Sequence, residues 1–252
     1  MPGHPRSSEG CNPPLPERIV FRAGEAHIWS ASLDVDTDEL RNLTAALSPD
    51  ERERAGRFAL PLHAKRWIAA RGVLRTILSH YTRVPPAALC FSYTEHGKPA
   101  LLEISGGDEI RFNVSHTGNC GLVAVTEGRE IGVDIERVRD NPFNAAVARR
   151  FFAPGEQAAL GSTPEAAWPA AFCTMWARKE ACVKASGLGL GLPLRSFDVS
   201  RDARTPRIVV ARGATAGRIR WTLVDIETVP GYAAACAVDG RGLKIVRWTF
   251  GA

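Results

Sequence analysis

The spacing of apolar residues divides the chain into helical and strand-like stretches. Two long stretches have the helical period, over residues 61–81 and about 164–186, and Gly187 supplies a C-terminal stop for the second. Ser48 and Pro49, followed by acidic residues, form a strong helix start. Shorter helices are predicted over residues 36–47 and 142–152, and from Pro154 onward.

Apolar and polar residues alternate in shorter runs, as expected for strands with one buried face. These runs occupy residues 26–33, 89–93, 110–114, 121–126, 131–136, 208–211, 219–226, 232–238 and 244–250. We interpret the last four as antiparallel strands that close a second lobe. The sequence therefore predicts a flexible leader (1–17) rich in Pro, Gly and Ser, an N-terminal lobe (18–128) and a C-terminal lobe (129–252). Each lobe combines a long helix with several strands.

Acidic residues on the 131–136 strand are the first candidates for chemistry. Asp134 and Glu136 alternate with apolar residues, so their side chains point to the same face. On the second long helix, Glu180 and Lys184 are four residues apart and also share a face. Grouped carboxylates repel one another unless protons or a hard cation neutralise them, and Mg²⁺ commonly combines carboxylates with substrate phosphates. The alternative is a solvated strand face and an ordinary helix-surface pair.

Basic residues in the first lobe form a second candidate site. They are Arg52, Arg54 and Arg57 on one helix and Arg66, Arg71 and Arg75 on the next. Such a cationic edge fits an anionic ligand, although arginines that only cover apolar surface with their aliphatic stems give the same pattern. His116 follows Ser115 at a strand end, where both can donate to phosphate or His116 can be a structural donor. The G-x-S-x-G motif of a serine nucleophile is absent from the sequence.

Composition narrows the class of protein. The 252 residues are 45% hydrophobic and 23% charged, which is typical of a globular protein with an ample core. The net charge of +5 fits an anionic ligand or an acidic partner, but no basic run indicates nucleic-acid binding. Six cysteines without a C-x-x-C pair indicate reduced thiols in the cytoplasm. The leader lacks a signal-peptide core, and no apolar run could span a membrane.

Five motifs occur in a characteristic order. They are His96-Gly97-Lys98-Pro99, Phe112-Asn113-Val114-Ser115-His116, Gly132-Val133-Asp134-Ile135-Glu136, Arg150-Phe151-Phe152-x-x-x-Glu156 and Trp176-x-x-Lys179-Glu180-Ala181-x-x-Lys184. With this order and spacing, the chain resembles the 4'-phosphopantetheinyl transferases of the Sfp type from about Leu47 to Val238. Five ordered motifs are more specific than any one of them alone.

The resemblance implies an α+β fold, a pseudo-dimer of two similar lobes with a long helix packed on a small, mainly antiparallel sheet in each. The active site would lie at the lobe interface. The family transfers the phosphopantetheine arm of coenzyme A to a serine hydroxyl of an acyl or peptidyl carrier protein and releases adenosine 3',5'-bisphosphate. The expected protein is an Mg²⁺-dependent cytoplasmic monomer that acts on no nucleic acid or membrane.

The resemblance also assigns residues. Asp134, Glu136 and Glu180 would bind Mg²⁺. Ser115, His116, Asp134 and Lys184 would contact the cofactor's pyrophosphate region, and Gly97, Lys98 and Pro99 would line the adenine side. Arg54 and Arg66 would bind the 3'-phosphate. Some relatives carry a lysine where this chain has Glu51, so Arg52 or Arg71 is an alternative for part of that contact.

Two roles stay open at this point. Glu156 matches a glutamate proposed as the general base in the family, and a water at the metal is the alternative; Lys184 is the other expected catalytic residue. The protein could also be a module that binds coenzyme A or carrier proteins without catalysis. A nucleotide hydrolase is less consistent with the sequence, which has no G-x-x-x-x-G-K-[ST] loop. The physiological carrier protein is not indicated by the sequence.

Overall fold

Ten strands and six α-helices are present in the computed structural model, which describes residues 18–102, 109–199, 207–210 and 220–251. The predicted leader (1–17) lies outside these residues. The strands are β1 (Glu25–Ser32), β2 (Phe91–Tyr93), β3 (Pro99–Leu101), β4 (Ile110–Thr117), β5 (Cys120–Glu127), β6 (Ile131–Arg137), β7 (Arg207–Val210), β8 (Arg220–Ile226), β9 (Tyr232–Asp239) and β10 (Lys244–Phe250). The helices are α1 (Thr37–Ala45), α2 (Pro49–Ala55), α3 (Pro61–Thr82), α4 (Asn144–Phe151), α5 (Pro154–Gly161) and α6 (Trp168–Ser186).

Local signals set most of the helix ends. The Asp36 carboxylate accepts the N–H groups of Asp38 and Glu39 and so caps α1. Helix α2 begins after Ser48, whose N–H donates to Glu51 Oε2 at 3.1 Å. Gly187 ends α6 with a φ of 68°. Helix α6 begins at Trp168, later than the predicted start at about residue 164, because residues Glu165–Ala167 form a separate 3-10 turn.

The first sheet has the strand order β10-β1-β5-β4, with α3 packed against it. Strand β1 pairs antiparallel with β5 and parallel with β10. The prediction that residues 244–250 form an antiparallel strand of the second lobe was therefore wrong. The physical reason is the apolar face of β10, where Trp248 stacks on the buried Trp29 of β1 with ring centroids 5.0 Å apart.

The second sheet is antiparallel, with the order β6-β9-β8-β7, and α6 covers it. Gly132 of β6 lets this helix come unusually close. A Cβ at position 132 would lie 2.0 Å from the Ala181 carbonyl oxygen and 2.3 Å from the Ala185 nitrogen, so no other residue fits. This close approach brings the acidic face of β6 against α6.

The two sheets pack against each other through a shared apolar cluster. Ala26, Ile28, Leu122 and Ala124 of the first sheet meet Ile131, Val133 and Ile135 of the second. The facing edges of β4 and β6 are joined by side chains: Asn113 Oδ1 accepts the N–H of Val133 at 3.0 Å, and Ser115 Oγ accepts that of Ile135 at 3.3 Å. Buried N–H groups at a sheet edge need such partners.

The fold is α+β, as the sequence predicts. A four-stranded sheet and one long helix occur twice along the described chain, around α3 and around α6. Among the described residues, no helix combines the length and the apolar character that crossing a membrane requires.

Candidate active site

A cleft of about 600 Å³ opens between β4 with the 96–99 turn on one side and α6 with the segment that follows it on the other, a size typical of small-molecule sites. Both halves of the chain contribute to its walls. The lining residues are His96, Gly97, Lys98, Pro99, Asn113 and Val114 on one side, and Arg150, Phe151, Glu180, Val183, Lys184, Gly187, Gly189, Leu192, Pro193, Leu194 and Arg195 on the other. The structure thus gathers the predicted residues Gly97, Lys98, Pro99, Glu180 and Lys184 in one place.

Asp134 lies buried at the junction of the two sheets. Its Oδ1 accepts from Ser115 Oγ at 2.8 Å and from Lys184 Nζ at 2.6 Å. Its Oδ2 is buried and has no hydrogen-bond partner in the described part of the chain. A buried carboxylate oxygen without a donor is costly, so this atom is suited to an external ligand.

Glu136 and Glu180 share a negative electrostatic environment with Asp134. Burial, and then the charges of Asp134 and Glu180, raise the pKa of Glu136 to about 7, while Lys184 opposes the shift. The pKa of Glu180 is raised by burial first and then by Asp134. The charge of Asp134 thus acts on both glutamates, and that of Glu180 acts on Glu136.

The three carboxylates fit a hard divalent cation in their donor chemistry. Carboxylate oxygens suit Mg²⁺, and the unpartnered Asp134 Oδ2 is an available ligand. Over residues 18–102, 109–199, 207–210 and 220–251, however, no three metal-binding side chains already form a coordination cluster. Lys184 instead holds Asp134 Oδ1.

His116 lies near Lys184, at the end of β4. Desolvation and then the Lys184 ammonium lower the pKa of the imidazole, which favours its neutral form. A smaller cavity of about 150 Å³ contacts Ser115, His116, Trp67 and Arg71, and Val114 lines both this cavity and the cleft. Arg71 is thus the arginine of the predicted cationic edge that reaches a cavity beside the cleft.

Arg54 and Arg66 line neither cavity. Arg66 donates to both oxygens of Asp34 at 2.8 and 3.0 Å, which raises its pKa and lowers that of Asp34. The guanidinium of Arg54 lies 5.4 Å from the centre of the Trp67 ring. Their assignment to the 3'-phosphate stays a prediction.

Glu51 pairs with two arginines of α3, Arg71 and Arg75. Burial raises the pKa of the Glu51 carboxyl, but the hydrogen bonds from Arg75 and Arg71 lower it by more. The net shift of the pKa is therefore downward. Arg52 donates to the carbonyls of Ala45 and Leu47. Of the two alternatives raised by Glu51, the structure places Arg71 beside a cavity and Arg52 against the end of α1.

Lys98 bridges the two halves of the chain. Its Nζ donates to Glu130 Oε2 at 2.7 Å and to the Ile131 carbonyl at 3.2 Å. The adjacent Gly97 has a φ of 79°, a left-handed conformation that favours glycine in this turn. The turn predicted to line the adenine side is therefore anchored next to the start of β6.

Glu156 lies outside the cleft. Its side chain is 0% exposed and pairs with Lys179, also 0% exposed, at 2.9 Å. The family assignment of Glu156 as a base stays a prediction, and contact with an incoming hydroxyl would require the surrounding segment to open.

Arg150, Phe151 and Arg195 are among the cleft residues that the motif analysis did not identify as binding residues. Arg150 and Phe151 line the cleft, and the Arg150 guanidinium lies 5.2 Å from the Phe151 ring centre. They belong to the fourth of the five motifs and lie in the last turn of α4, so the motif could have suggested a role for them. Arg195 also lines the cleft but lies in the short 3-10 turn Leu194–Ser196, which has no recognisable sequence pattern.

Comparisons with known proteins find two matching family models and several similar proteins. The family described as the 4'-phosphopantetheinyl transferase superfamily matches residues 130–237, and the family described as 4'-phosphopantetheinyl transferase, N-terminal, matches residues 29–128. The chain is 35% identical over 237 residues to the 4'-phosphopantetheinyl transferase HetI of Nostoc sp., covering 94% of this chain and 97% of that protein. It is 30% identical over 162 residues to the 4'-phosphopantetheinyl transferase Sfp of Bacillus subtilis, covering 64% of this chain and 70% of that one.

Proposed function

Because the chain belongs to the 4'-phosphopantetheinyl transferase superfamily and is an enzyme of that kind, we propose how its residues perform the transfer. The protein moves phosphopantetheine to carrier proteins, with coenzyme A as the donor. In the proposed reaction, the serine oxygen of an acyl or peptidyl carrier protein forms a bond to the phosphorus of the pantetheine phosphate. The bridging P–O bond breaks, and adenosine 3',5'-bisphosphate leaves with the electron pair.

The observation that carries this proposal is the acidic group next to the cleft: Glu180 and Lys184 line the cleft, and Lys184 holds Asp134. Glu136 belongs to the same group, because the charges of Asp134 and Glu180 act on it. Phosphoryl transfer depends mainly on positioning and on neutralising charge at the phosphate oxygens. Asp134, Glu136 and Glu180 would hold Mg²⁺, which when bound would neutralise charge on the pyrophosphate. Lys184 lines the cleft and supplies a fixed cation for the phosphate oxygens.

Other residues of the cleft and of the cavity beside it would bind the remaining parts of coenzyme A. Gly97, Lys98 and Pro99 would contact the adenine side, and Ser115 with His116 would contact the pyrophosphate region. For the 3'-phosphate we propose Arg71, which lines the cavity beside His116, in addition to the predicted Arg54 and Arg66. Those two would first have to release Trp67 and Asp34.

The serine proton needs an acceptor, and the sequence leaves Glu156 and a water as alternatives. The complete burial of Glu156 favours a water beside the carboxylates as the proton acceptor.

We further propose that the enzyme is a pseudo-dimer of Sfp type, built from similar lobes over 18–128 and 129–252, and that it acts as a cytoplasmic monomer. The two four-stranded sheets, each with a long helix, support this proposal, with β10 exchanged into the first sheet.

Intact-mass measurement tests the function. The protein is mixed with coenzyme A, Mg²⁺ and a panel of apo carrier proteins, and we expect one phosphopantetheine mass to be added to at least one of them. A carrier in which the target serine is replaced by alanine is the control and should gain nothing. Coenzyme A binding without modification of any carrier would instead support the inactive binding module.

A further inference from the structure

Glu156 and Lys179 form a fully buried ion pair in the second lobe. Glu156 Oε2 accepts from Lys179 Nζ at 2.9 Å and from the Ala153 N–H at 2.7 Å, and Oε1 accepts the Val199 N–H at 2.7 Å. Both carboxylate oxygens are therefore occupied.

Lys179 is equally well surrounded. Besides Glu156, its ammonium donates to the carbonyls of Leu194 at 2.7 Å and Phe197 at 3.0 Å, and it lies 4.2 Å from the centre of the Phe197 ring. All three N–H bonds of the ammonium have an acceptor. Burial raises the pKa of Glu156 and lowers that of Lys179, and the two opposite charges counter these shifts.

These contacts tie three parts of the chain together. Glu156 lies in the first turn of α5, Lys179 lies within α6, and their partners Leu194, Phe197 and Val199 belong to the segment 194–199. Leu192, Leu194 and Arg195, at or next to the anchored end of this segment, line the cleft. Glu180, which also lines the cleft, is the neighbour of Lys179 on α6. The ion pair thus fixes one wall of the cleft to the helix that carries an acidic site residue.

We propose that Glu156 and Lys179 are positioning residues that hold the 192–199 wall against α6, and that Glu156 does not accept the serine proton. This inference rests on the proposed function. To act as a base, Glu156 would have to lose a buried hydrogen bond and reach a cleft from which it is closed off.

The ion pair makes a specific prediction about double substitution. Removing one partner leaves the other charge buried and unpaired, whereas replacing both with groups of similar volume removes that penalty. The variants are Glu156→Gln, Lys179→Met and the double variant, with Glu165→Gln as a matched control because Glu165 is exposed on the turn before α6. For each, we would measure kcat, the KM for coenzyme A, coenzyme A binding by calorimetry and Tm.

We expect the single variants to raise the KM for coenzyme A by about tenfold or more, since small displacements of a site wall have effects of this order. Their Tm should fall. The double variant should recover at least half of the lost Tm and keep kcat within about threefold of the wild type, because no general base has been lost. Glu165→Gln should match the wild type.

The opposite pattern would overturn the proposal. If Glu156→Gln and the double variant both lose kcat by about 10²–10⁴ with unchanged KM, Glu156 is the base. Single variants that match the wild type in every measurement would also refute a positioning role. If Glu156→Gln does not fold, the double variant alone decides by its kcat. An inactive wild type would refute the proposed function, while the calorimetric and Tm comparisons would still test the ion pair.

Discussion

Ser115 Oγ donates to Asp134 Oδ1 at 2.8 Å, and Ser115 Oγ also accepts the N–H of Ile135 at 3.3 Å. One hydroxyl of the first sheet therefore fixes both the backbone and the acidic side chain of β6. The sequence suggested a phosphate contact for Ser115, and the structure adds a contact that orients Asp134.

Ser115→Ala should separate these two roles. Loss of the hydroxyl frees Asp134 Oδ1 from one of its two donors, so we expect the Mg²⁺ concentration for half-maximal activity to rise about 10- to 100-fold, as for other residues that orient metal ligands. Titration of activity with Mg²⁺ measures this. If the variant instead loses only coenzyme A affinity in calorimetry, Ser115 acts mainly on the phosphates.

Neutralising Asp134 or Glu180 should stop turnover without unfolding the protein. Asp134→Asn and Glu180→Gln each remove a charge from a crowded acidic group, and Asp134→Asn also loses the ion pair with Lys184. We therefore expect both variants to stay folded at assay temperature while kcat falls by at least about a hundredfold. Steady-state kinetics and differential scanning fluorimetry give the two values. Wild-type activity of either variant at limiting Mg²⁺ would refute the metal assignment.

The raised pKa of Glu136 predicts a pH-dependent stability. The folded protein binds the Glu136 proton more tightly than the unfolded chain, so stability is highest below about pH 4.5 for this group and falls as pH rises toward and through about 7. We expect Tm to fall over pH 5–8 without Mg²⁺, by about 2–4 °C for each kcal/mol lost. Glu136→Gln should flatten this slope, and Mg²⁺ should restore Tm most at the alkaline end. A wild-type slope in Glu136→Gln would mean that other groups cause it.

Arginine variants should distinguish the 3'-phosphate contacts. A charge-assisted hydrogen bond is worth about 1.5–3 kcal/mol, so Arg71→Ala should raise the KM for coenzyme A by roughly 10- to 100-fold. The same size of effect is expected for Arg54→Ala and Arg66→Ala if they too reach the phosphate. Dephospho-coenzyme A is the control, because it lacks the 3'-phosphate and should be little affected. Equal penalties with both compounds would place the arginine elsewhere.

Gly132→Ala should push β6 away from α6. The new Cβ would meet the Ala181 carbonyl oxygen at 2.0 Å, an overlap that only a backbone shift can relieve, so we expect a loss of about 1–3 kcal/mol or more and reduced activity. The matched control is Gly161→Ala, where a Cβ meets nothing within 4 Å and should be neutral or slightly stabilising. Urea denaturation compares the two. A Gly132→Ala protein as stable as the control would contradict the observed packing.

Local periodicity was sufficient to predict some of the neighbours in the candidate site. The alternation around Asp134 and Glu136 and the four-residue spacing of Glu180 and Lys184 fixed which side chains share a face. Contacts between segments that are distant in sequence could not be predicted from local periodicity. The Arg66–Asp34 pair joins residues 32 positions apart, and the Glu156 oxygens are occupied by groups up to 43 positions away. A motif identifies the residue type, but only the folded structure shows whether that side chain is already paired with another residue of the chain.

The parallel pairing of β1 with β10 also has a consequence for synthesis. Lys244 and Glu25 are joined by a 3.0 Å ion pair although they are 219 positions apart. During translation the residues of β1, β4 and β5 leave the ribosome early, but the β1 edge stays without its neighbour until residues 244–250 emerge. The first sheet is therefore complete only after nearly the whole second lobe has been synthesised. A chain halted before residue 244 would expose the unpaired edge of β1 to other nascent chains and to chaperones.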